Sequence, residues 1–383
     1  MDTSSTRAAE LELFRDTLKK FLAAEIAPHY DAWEKAGIIP KEAWLKLGEN
    51  GFLCVDAPEE FGGIGAPFEF SCAVLEEVGR AGFGALGANL AVHSDIVAPY
   101  IAHLGTPEQK ARYLPKMVTG ECVGAIAMTE PGAGSDLQGA KTSAVVDGSD
   151  YLINGSKTFI TNGQHAGVVI TFTKTDPKAG AKGTTLFLVE TDAKGFARGR
   201  NLDKIGHHCG DTSELFFDNV RVPASAMLGA AGNGFGHLMD ELPRERLTLA
   251  VGALGAIEGM LALTVDYVKN RKAFGNPIST LQNTRFEIAD MQTQAEMLRA
   301  YVEQCAVAYA AGKMTIPMGA KVKLAATELQ CKVADRCLQL FGGYGYMTEY
   351  PISRHFVDAR IQRIYGGTSE IMKEVIARSL LGR

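Results

Sequence analysis

Glu245 stands in the run Leu242-Pro243-Arg244-Glu245-Arg246-Leu247, at the head of a mostly apolar stretch. A carboxylate kept from water is pushed up in pKa and can then act as a base near neutral pH. Pro243 suits the first turn of a helix, which would put Glu245 in that turn. A helix N-terminus and Arg246 would both oppose the upward shift, so the sequence leaves its sign open. On its own, such a residue reads as a helix-terminal Glu favoured by the helix dipole. Glu258 is the competing carboxylate, about three to four turns further along. Glu349 and Glu370 are weaker candidates, because both sit inside segments with a structural pattern.

Three glycine-rich stretches could bring backbone against a ligand. Ala127–Asp136 (AMTEPGAGSD) reads equally as a tight connection and as a backbone-lined contact with hydroxyl donors. Gly366-Gly367-Thr368-Ser369 presents successive N–H groups suited to an anion or oxyanion, ahead of a helix expected over Glu370–Leu381. Gly342-Gly343 is explained about as well by a helix C-cap and turn. Phe61–Gly65 carries no P-loop Lys-Ser/Thr, and Gly229–Gly236 follows no strand as a GxGxxG. A nicotinamide enzyme with a doubly wound sheet is therefore disfavoured.

The elements that must position these groups change twice along the 383 residues. Residues 1–121 read as helical, with Leu11, Phe14, Leu18, Phe21 and Leu22 at helical spacing and a second helix around Ala73–Val78. Residues 122–232 carry short β-branched runs at Thr158–Thr161, Val168–Thr173, Thr184–Val189 and Leu215–Val222. Asp147-Gly148, Asn154-Gly155 and Asn162-Gly163 punctuate them as hairpin turns. An antiparallel β-barrel or sandwich follows. Residues 233–383 return to helix, with Met291, Gln294, Leu298, Tyr301, Val302 and Cys305 on one face. Val322, Ala325, Leu329, Val333, Cys337 and Leu340 line another, as in a bundle. The architecture is an α+β multidomain chain, helical at both ends with a β domain between.

The net charge of −5 offers no basic excess for bulk nucleic-acid binding. Seven scattered cysteines without a CxxC pair suggest reduced thiols inside a cell, and no Cys/His spacing suits zinc. The apolar run Leu247–Val265 is broken by Glu258 and reads as a buried helix, not a membrane span. The acidic, amphipathic N-terminus resembles no secretory signal or transit peptide. The eight histidines lack a paired nucleophile or ligand and read as structural.

AMTEPGAGSD, Lys157–Gly163 (KTFITNG), Arg271–Gly275 (RKAFG), Gln339–Arg360 (QLFGGYGYMTEYPISRHFVDAR) and the run from Ile364 (IYGGTSEIMKEVIAR) together resemble the acyl-CoA dehydrogenase family. The resemblance covers essentially the whole chain. ELPRER and YGGTSEIMKE are most similar to its long-chain branch. It implies FAD-dependent α,β-dehydrogenation of a fatty acyl-CoA to a trans-2-enoyl-CoA. A base takes the pro-R α-proton, the β-hydrogen passes to flavin N5, and electrons leave to an electron-transfer flavoprotein. Many relatives carry the base where this chain has Gly366. The long-chain and isovaleryl branches carry it in an E-R-L context that matches Glu245.

Further roles are implied residue by residue. Thr161 resembles the hydroxyl near flavin N5, Phe159 the aromatic beside the ring, and Met128 and Thr129 the segment at the pyrimidine edge. Ser135 matches a contact near the CoA or FAD phosphates. Arg271 and Phe274 resemble residues reaching the FAD of a neighbouring subunit, with Gln339 and Gly343 at its adenosine half. Thr368 and Glu370 match closing contacts on FAD. The Gly366 N–H, with a flavin ribityl hydroxyl, would polarise the thioester carbonyl. Arg246 and Tyr365 resemble residues lining the thioester channel. Taken alone, Arg271 reads as a surface salt-bridge residue and Thr161 as a strand threonine.

The resemblance further implies a homotetramer, a dimer of dimers, in bacterial cytoplasm or the mitochondrial matrix. Long-chain or broad specificity is expected, with an isovaleryl-type branched substrate as the alternative. An acyl-CoA oxidase is a lesser alternative, because oxidases usually carry an extra C-terminal domain. A non-dehydrogenating member of the same fold is another, which the net charge does not support. Gly84, Gly87, Ala88 and Ala91 could line a tail pocket, though helix packing explains them more simply.

Overall fold

In the computed structural model, which describes residues 3–382, two helical layers pack directly on each other and a single sheet lies beside them. The first layer holds α1 (Thr3–Phe21), α2 (Ala27–Ala36), α3 (Lys41–Glu49), α4 (Phe68–Arg80), α5 (Gly84–Leu90), α6 (Ala98–Leu104) and α7 (Pro107–Val118). A π-helical segment, Ala91–Val97, joins α5 to α6. Leu18, Phe21 and Leu22 are buried, as their spacing predicts.

The sheet contains β1 (Val123–Ala127), β2 (Ser143–Asp147), β3 (Asp150–Thr161), β4 (Ala166–Lys174), β5 (Thr184–Glu190), β6 (Phe196–Asn201), β7 (Thr212–Pro223) and β8 (Met227–Leu228). Its order is β6-β7-β3-β2-β4-β5-β8, with β1 against β4. It is mostly antiparallel, but β1 runs parallel to β4, and β2 meets β4 in parallel at Ser143. The intervening chain supplies the crossover that a parallel pair requires. Asp147-Gly148 does open a tight β2–β3 hairpin, with Asp147 facing Asp150 and Gly148 at φ +65°. Asn154-Gly155 does not turn the chain. β3 runs through it with a register shift, and Gly155, at φ +150°, passes within 2.7 Å (from its would-be Cβ) of the Thr142 Cα. Asn162 ends β3 at φ +65°, and its buried amide donates to the carbonyls of Asn89 and Gly124, tying the sheet to α5.

The second layer is built on α8 (Gly234–Asn270). A small hairpin, β9 (Lys272–Ala273) and β10 (Asn276–Pro277), leads to α9 (Gln282–Ala310), α10 (Ile316–Phe341), α11 (Pro351–Ala359) and α12 (Ser369–Leu381). On α10 the buried stripe is Val322, Ala326, Val333 and Cys337. Ala325 is exposed and Leu329 and Leu340 are half-buried, so the stripe is rotated from the expected face. By length and composition α8 could cross a membrane, yet 67% of its apolar window is buried inside this bundle.

α4 and α8 touch backbone to backbone. A Cβ on Gly255 would lie 2.2 Å from the Glu76 carbonyl oxygen, and one on Gly259 would lie 2.2 Å from that of Arg80. Around this contact Arg15, Arg80 and Arg299 bracket Glu76, Glu77 and Glu258, joining α1, α4, α8 and α9.

Gly255→Ala is expected to destabilise the protein. Alanine favours the helix by about 1 kcal/mol, but prying two backbones apart costs about 1–3 kcal/mol. Thermal unfolding reads the balance, and a Tm at or above that of the parent would mean that the helices separate freely.

Candidate active site

The expected helix start at Pro243 is not found. α8 begins at Gly234, so Pro243 lies inside the helix and Glu245 is about three turns from its N-terminus. The terminal potential invoked against a raised pKa therefore does not reach Glu245, since it fades within the first turn. Pro243 packs against α10, where Gly319 leaves room for it.

Glu245 is 4% exposed, and its Oε1 accepts a 2.8 Å hydrogen bond from the Tyr100 hydroxyl of α6. Burial pushes the carboxyl up to about 7; the Tyr100 O–H and Arg246 pull it down, and the Glu241 charge adds to the rise. Its two arginine neighbours point elsewhere. Arg244 reaches Asp56 at 2.6 Å and Asp95 at 3.3 Å, donates to the Tyr309 hydroxyl, and lies over the Phe68 ring. Arg246 is equally buried, but its Nε and Nη1 have no hydrogen-bond partner among the described residues. Burial lowers its pKa, with Glu245 opposing.

Gly366 and Gly367 both have positive φ, +62° and +96°, in the turn before α12. Lys323 of α10, fully buried, donates to the Gly367 carbonyl at 2.7 Å and holds this turn. Burial, then Arg246, brings the Lys323 amine down to about 8. A Cβ on Gly366 would lie 2.4 Å from Leu249 Cδ1, one turn beyond Glu245 on α8. Leu249, Thr248, Gly252 and Ala256 line a narrow cavity together with Tyr365. Gly84, Gly87, Ala88 and Ala91 form its opposite wall, so these small residues border a cavity as well as packing helices.

On the sheet side, Met128 and Thr129 follow β1. The Thr129 carbonyl accepts from the Thr158 N–H, and that of Met128 from the buried Lys157 amine, which also pairs with Glu130 at 2.9 Å. This brings Met128 and Thr129 beside Phe159 and Thr161 on β3. Phe159 is held at φ +59° with 68% of its surface open. Ser135 lies exposed in the same loop system. Thr368 caps α12 by accepting from the Ile371 N–H, and Glu370 is exposed in its first turn.

Arg271, Gln339 and Gly343 come together elsewhere, in an open pocket of about 500 Å³ with Tyr267, Tyr344 and Met347. Arg271 stacks over the Tyr344 ring at 5.1 Å. Phe274, at φ +51°, projects from the β9–β10 hairpin with 93% of its surface open.

The sequence matches the acyl-CoA dehydrogenase N-terminal domain over residues 8–121, the middle domain over 125–220 and the C-terminal domain over 232–381. The chain belongs to the acyl-CoA dehydrogenase family. It is 48% identical to a mitochondrial long-chain specific acyl-CoA dehydrogenase of Sus scrofa, over 98% of this chain and 87% of that one. It is 38% identical to a mitochondrial isovaleryl-CoA dehydrogenase of Solanum tuberosum, over 96% and 89%. A crystal structure of acyl-CoA dehydrogenase from Geobacillus kaustophilus superposes with a TM-score of 0.94 at 48% identity, covering 97% of this chain and 98% of that one. The protein is thus an FAD-dependent oxidoreductase. The residues fit that cofactor: an open aromatic, Phe159, and a hydroxyl, Thr161, share β3 beside the Met128–Thr129 backbone.

Of the other carboxylates of this acyl-CoA dehydrogenase, Glu258 is held by Arg80 and Arg299, and Glu349 and Glu370 are exposed. Tyr100 and Lys323 escape sequence reasoning, because each acts across helices with no local pattern to mark it.

Tyr100→Phe removes the donor that favours ionised Glu245. The Glu245 pKa is expected to rise by about one unit or more above its position near 7. Infrared titration of the carboxyl stretch reads this directly, and an unmoved midpoint would mean that the phenol does not bias ionisation.

Proposed function

We propose that this acyl-CoA dehydrogenase acts on long-chain acyl-CoA and that Glu245 is its base. The observation that carries the reading is a buried carboxyl, raised to about 7, beside a turn where Gly366 offers only backbone. Such a group is ionised often enough at neutral pH to accept a proton, and basic enough to hold it.

Glu245 takes the α-proton of the thioester and becomes a neutral acid, hydrogen-bonded to Tyr100. The bound FAD supplies the hydride acceptor for the β-hydrogen. The Gly366 N–H donates to the thioester carbonyl, stabilising the negative charge that builds there as the proton leaves. Lys323 keeps that turn in place. Arg246 and Tyr365 line the thioester end of the channel, and the unpartnered guanidinium adds positive potential there. The product is a trans-2-enoyl-CoA.

Met128, Thr129, Phe159 and Thr161 would hold the flavin ring, Ser135 the phosphate region shared with CoA, and Thr368 and Glu370 would close on FAD. Arg271, Phe274, Gln339 and Gly343 would reach the FAD of a neighbouring subunit in a homotetramer. The separate open pocket shared by Arg271, Gln339 and Gly343 supports that reading. So do the exposed apolar side chains Phe286, Met297, Val307 and Tyr346 in the same half of the chain. Electrons then pass to an electron-transfer flavoprotein.

The small-residue cavity favours a long tail. On α8 the cavity wall runs from Thr248 to Ala256, about 12 Å at about 1.5 Å per residue, and begins one turn beyond Glu245. The isovaleryl-type relatives keep a short branched substrate as the competing reading.

Anaerobic titration with a panel of acyl-CoAs, following flavin absorbance, tests both points. Long straight-chain thioesters should bleach the flavin, and bleaching by short branched ones alone would overturn the substrate class. kcat/KM should rise with pH through about 7 as Glu245 ionises. Glu245→Gln should stay yellow and lose about 10²–10⁴-fold or more in flavin reduction. Near-parental turnover in that variant would sink the assignment.

A further inference from the structure

The cavity that starts one turn beyond Glu245 is bordered by polar side chains that the dehydrogenation does not use. His207, His355 and Asp358 line it, with Gln330 of α10 and Gln362. All five are more than nine-tenths buried. Four of their atoms, His207 Nε2, Asp358 Oδ2, Gln330 Oε1 and Gln362 Oε1, have no hydrogen-bond partner among the described residues. Native proteins leave few buried polar atoms in that state, and three of these four are carboxyl or amide oxygens. The other Asp358 oxygen is engaged by the His207 backbone N–H at 2.6 Å.

Glycines keep the space in front of these atoms clear. A Cβ on Gly84 would lie 2.8 Å from Asp358 Oδ2 and 3.1 Å from His207 Nε2. A Cβ on Gly82, at φ +79°, would lie 2.8 Å from His355 Nε2. Gly79, one turn earlier, packs on Gly252 and Ala256, so the polar group sits at the level of α8 remote from Glu245. The whole cavity, from Leu249 to the polar cluster, encloses about 40 Å³, room for a few waters, so an acyl tail reaches the cluster by spreading the walls.

The cluster carries little charge. Burial brings His207 and His355 down to about 4, leaving both neutral, and brings Asp358 up to about 7. The nearby Arg354 is taken by Asp31 at 2.9 Å and by the Tyr30 ring. Among the described residues no cation lines the cavity, and the Arg354 charge is already paired with Asp31, so a carboxylate would be poorly served here. A hydroxyl would find acceptors for its proton and a ring nitrogen able to answer its oxygen.

We propose that this is a subsite for a distal hydroxyl, and that the enzyme favours acyl-CoA substrates hydroxylated at the ω-end. The proposal rests on reading the cavity beyond Glu245, from Leu249 onward, as the acyl site.

The test uses the FAD-loaded enzyme with decanoyl-, dodecanoyl-, tetradecanoyl- and hexadecanoyl-CoA, each beside its ω-hydroxy and ω-carboxy analogue. At the chain length that reaches the cluster, the ω-hydroxy thioester should exceed the unsubstituted one by about tenfold in kcat/KM, as one or two buried hydrogen bonds allow. The ω-carboxy thioester should be the poorest. Gln362→Leu should bring the preference to parity or invert it. Gly84→Ala should do the same by filling the space with every polar group retained, so a fold defect in one variant does not spoil the test. No preference at any length overturns the subsite and leaves the dehydrogenase reading standing; the cluster then holds only water. A parental preference that survives both variants, or a preference for the ω-carboxy thioester, also overturns it. If no thioester bleaches the flavin, the dehydrogenase reading falls and the subsite with it.

Discussion

As the proposed base, Glu245 has to be dry enough to be basic and still able to ionise, and the packing around α8 meets both demands. Burial alone would drive the carboxyl far upward. A direct ion pair with an adjacent arginine would drive it far down. Successive residues on a helix point about 100° apart, so Arg244 and Arg246 cannot share the Glu245 direction. Arg244 is claimed by Asp56 and Asp95, and Arg246 faces the Gly366–Gly367 turn. What remains for Glu245 is a neutral phenol, which favours the ionised form without neutralising it. The value near 7 is the outcome of that compromise.

The same helix shapes the cavity proposed to take the acyl chain. Gly255 and Gly259 let α8 lie on the α4 backbone, while Gly252 and Ala256 turn toward the cavity. Small residues on this helix thus serve close packing and open space together, since Gly252 and Ala256 meet Gly79 of α4 as well as the cavity. A larger side chain at Gly255 would move α8 as a body, and Glu245 with it. Lys323 makes a comparable link from α10, because its amine grips the Gly367 carbonyl and fixes the turn that faces Leu249.

Much of this was legible in the chain. The switch from helical to two-residue periodicity and back marks the three layers. The candidacy of Glu245 and Gly366 comes from the family resemblance, since by themselves these residues read as a helix-terminal Glu and a turn. The failures share a cause, which is that distant backbone overrides a local signal. Pro243 looks like a helix start, yet packing against Gly319 carries the helix through it. Asn154-Gly155 looks like a hairpin turn, yet the close approach of Thr142 makes it a bulge. The Ala325 stripe is rotated because α10 answers both α8 and α9. Tyr100 and the polar cluster come from elements far apart in sequence, and no periodicity can announce them.

The channel changes character along its length, and that change has an energetic consequence. Near Glu245 its walls are Leu249, Ala88 and Ala91, which welcome methylene groups. At Asp358, Gln330 and Gln362 it presents unpaired acceptors, which water satisfies when nothing else does. A short apolar tail stops before them and leaves that water in place. A longer apolar tail must displace it without replacing its hydrogen bonds, and so loses affinity with each added carbon. A tail ending in a hydroxyl makes the same exchange at little net cost. The polar end therefore acts as a ruler for unsubstituted chains and as a recognition element for hydroxylated ones, with one set of atoms producing both effects.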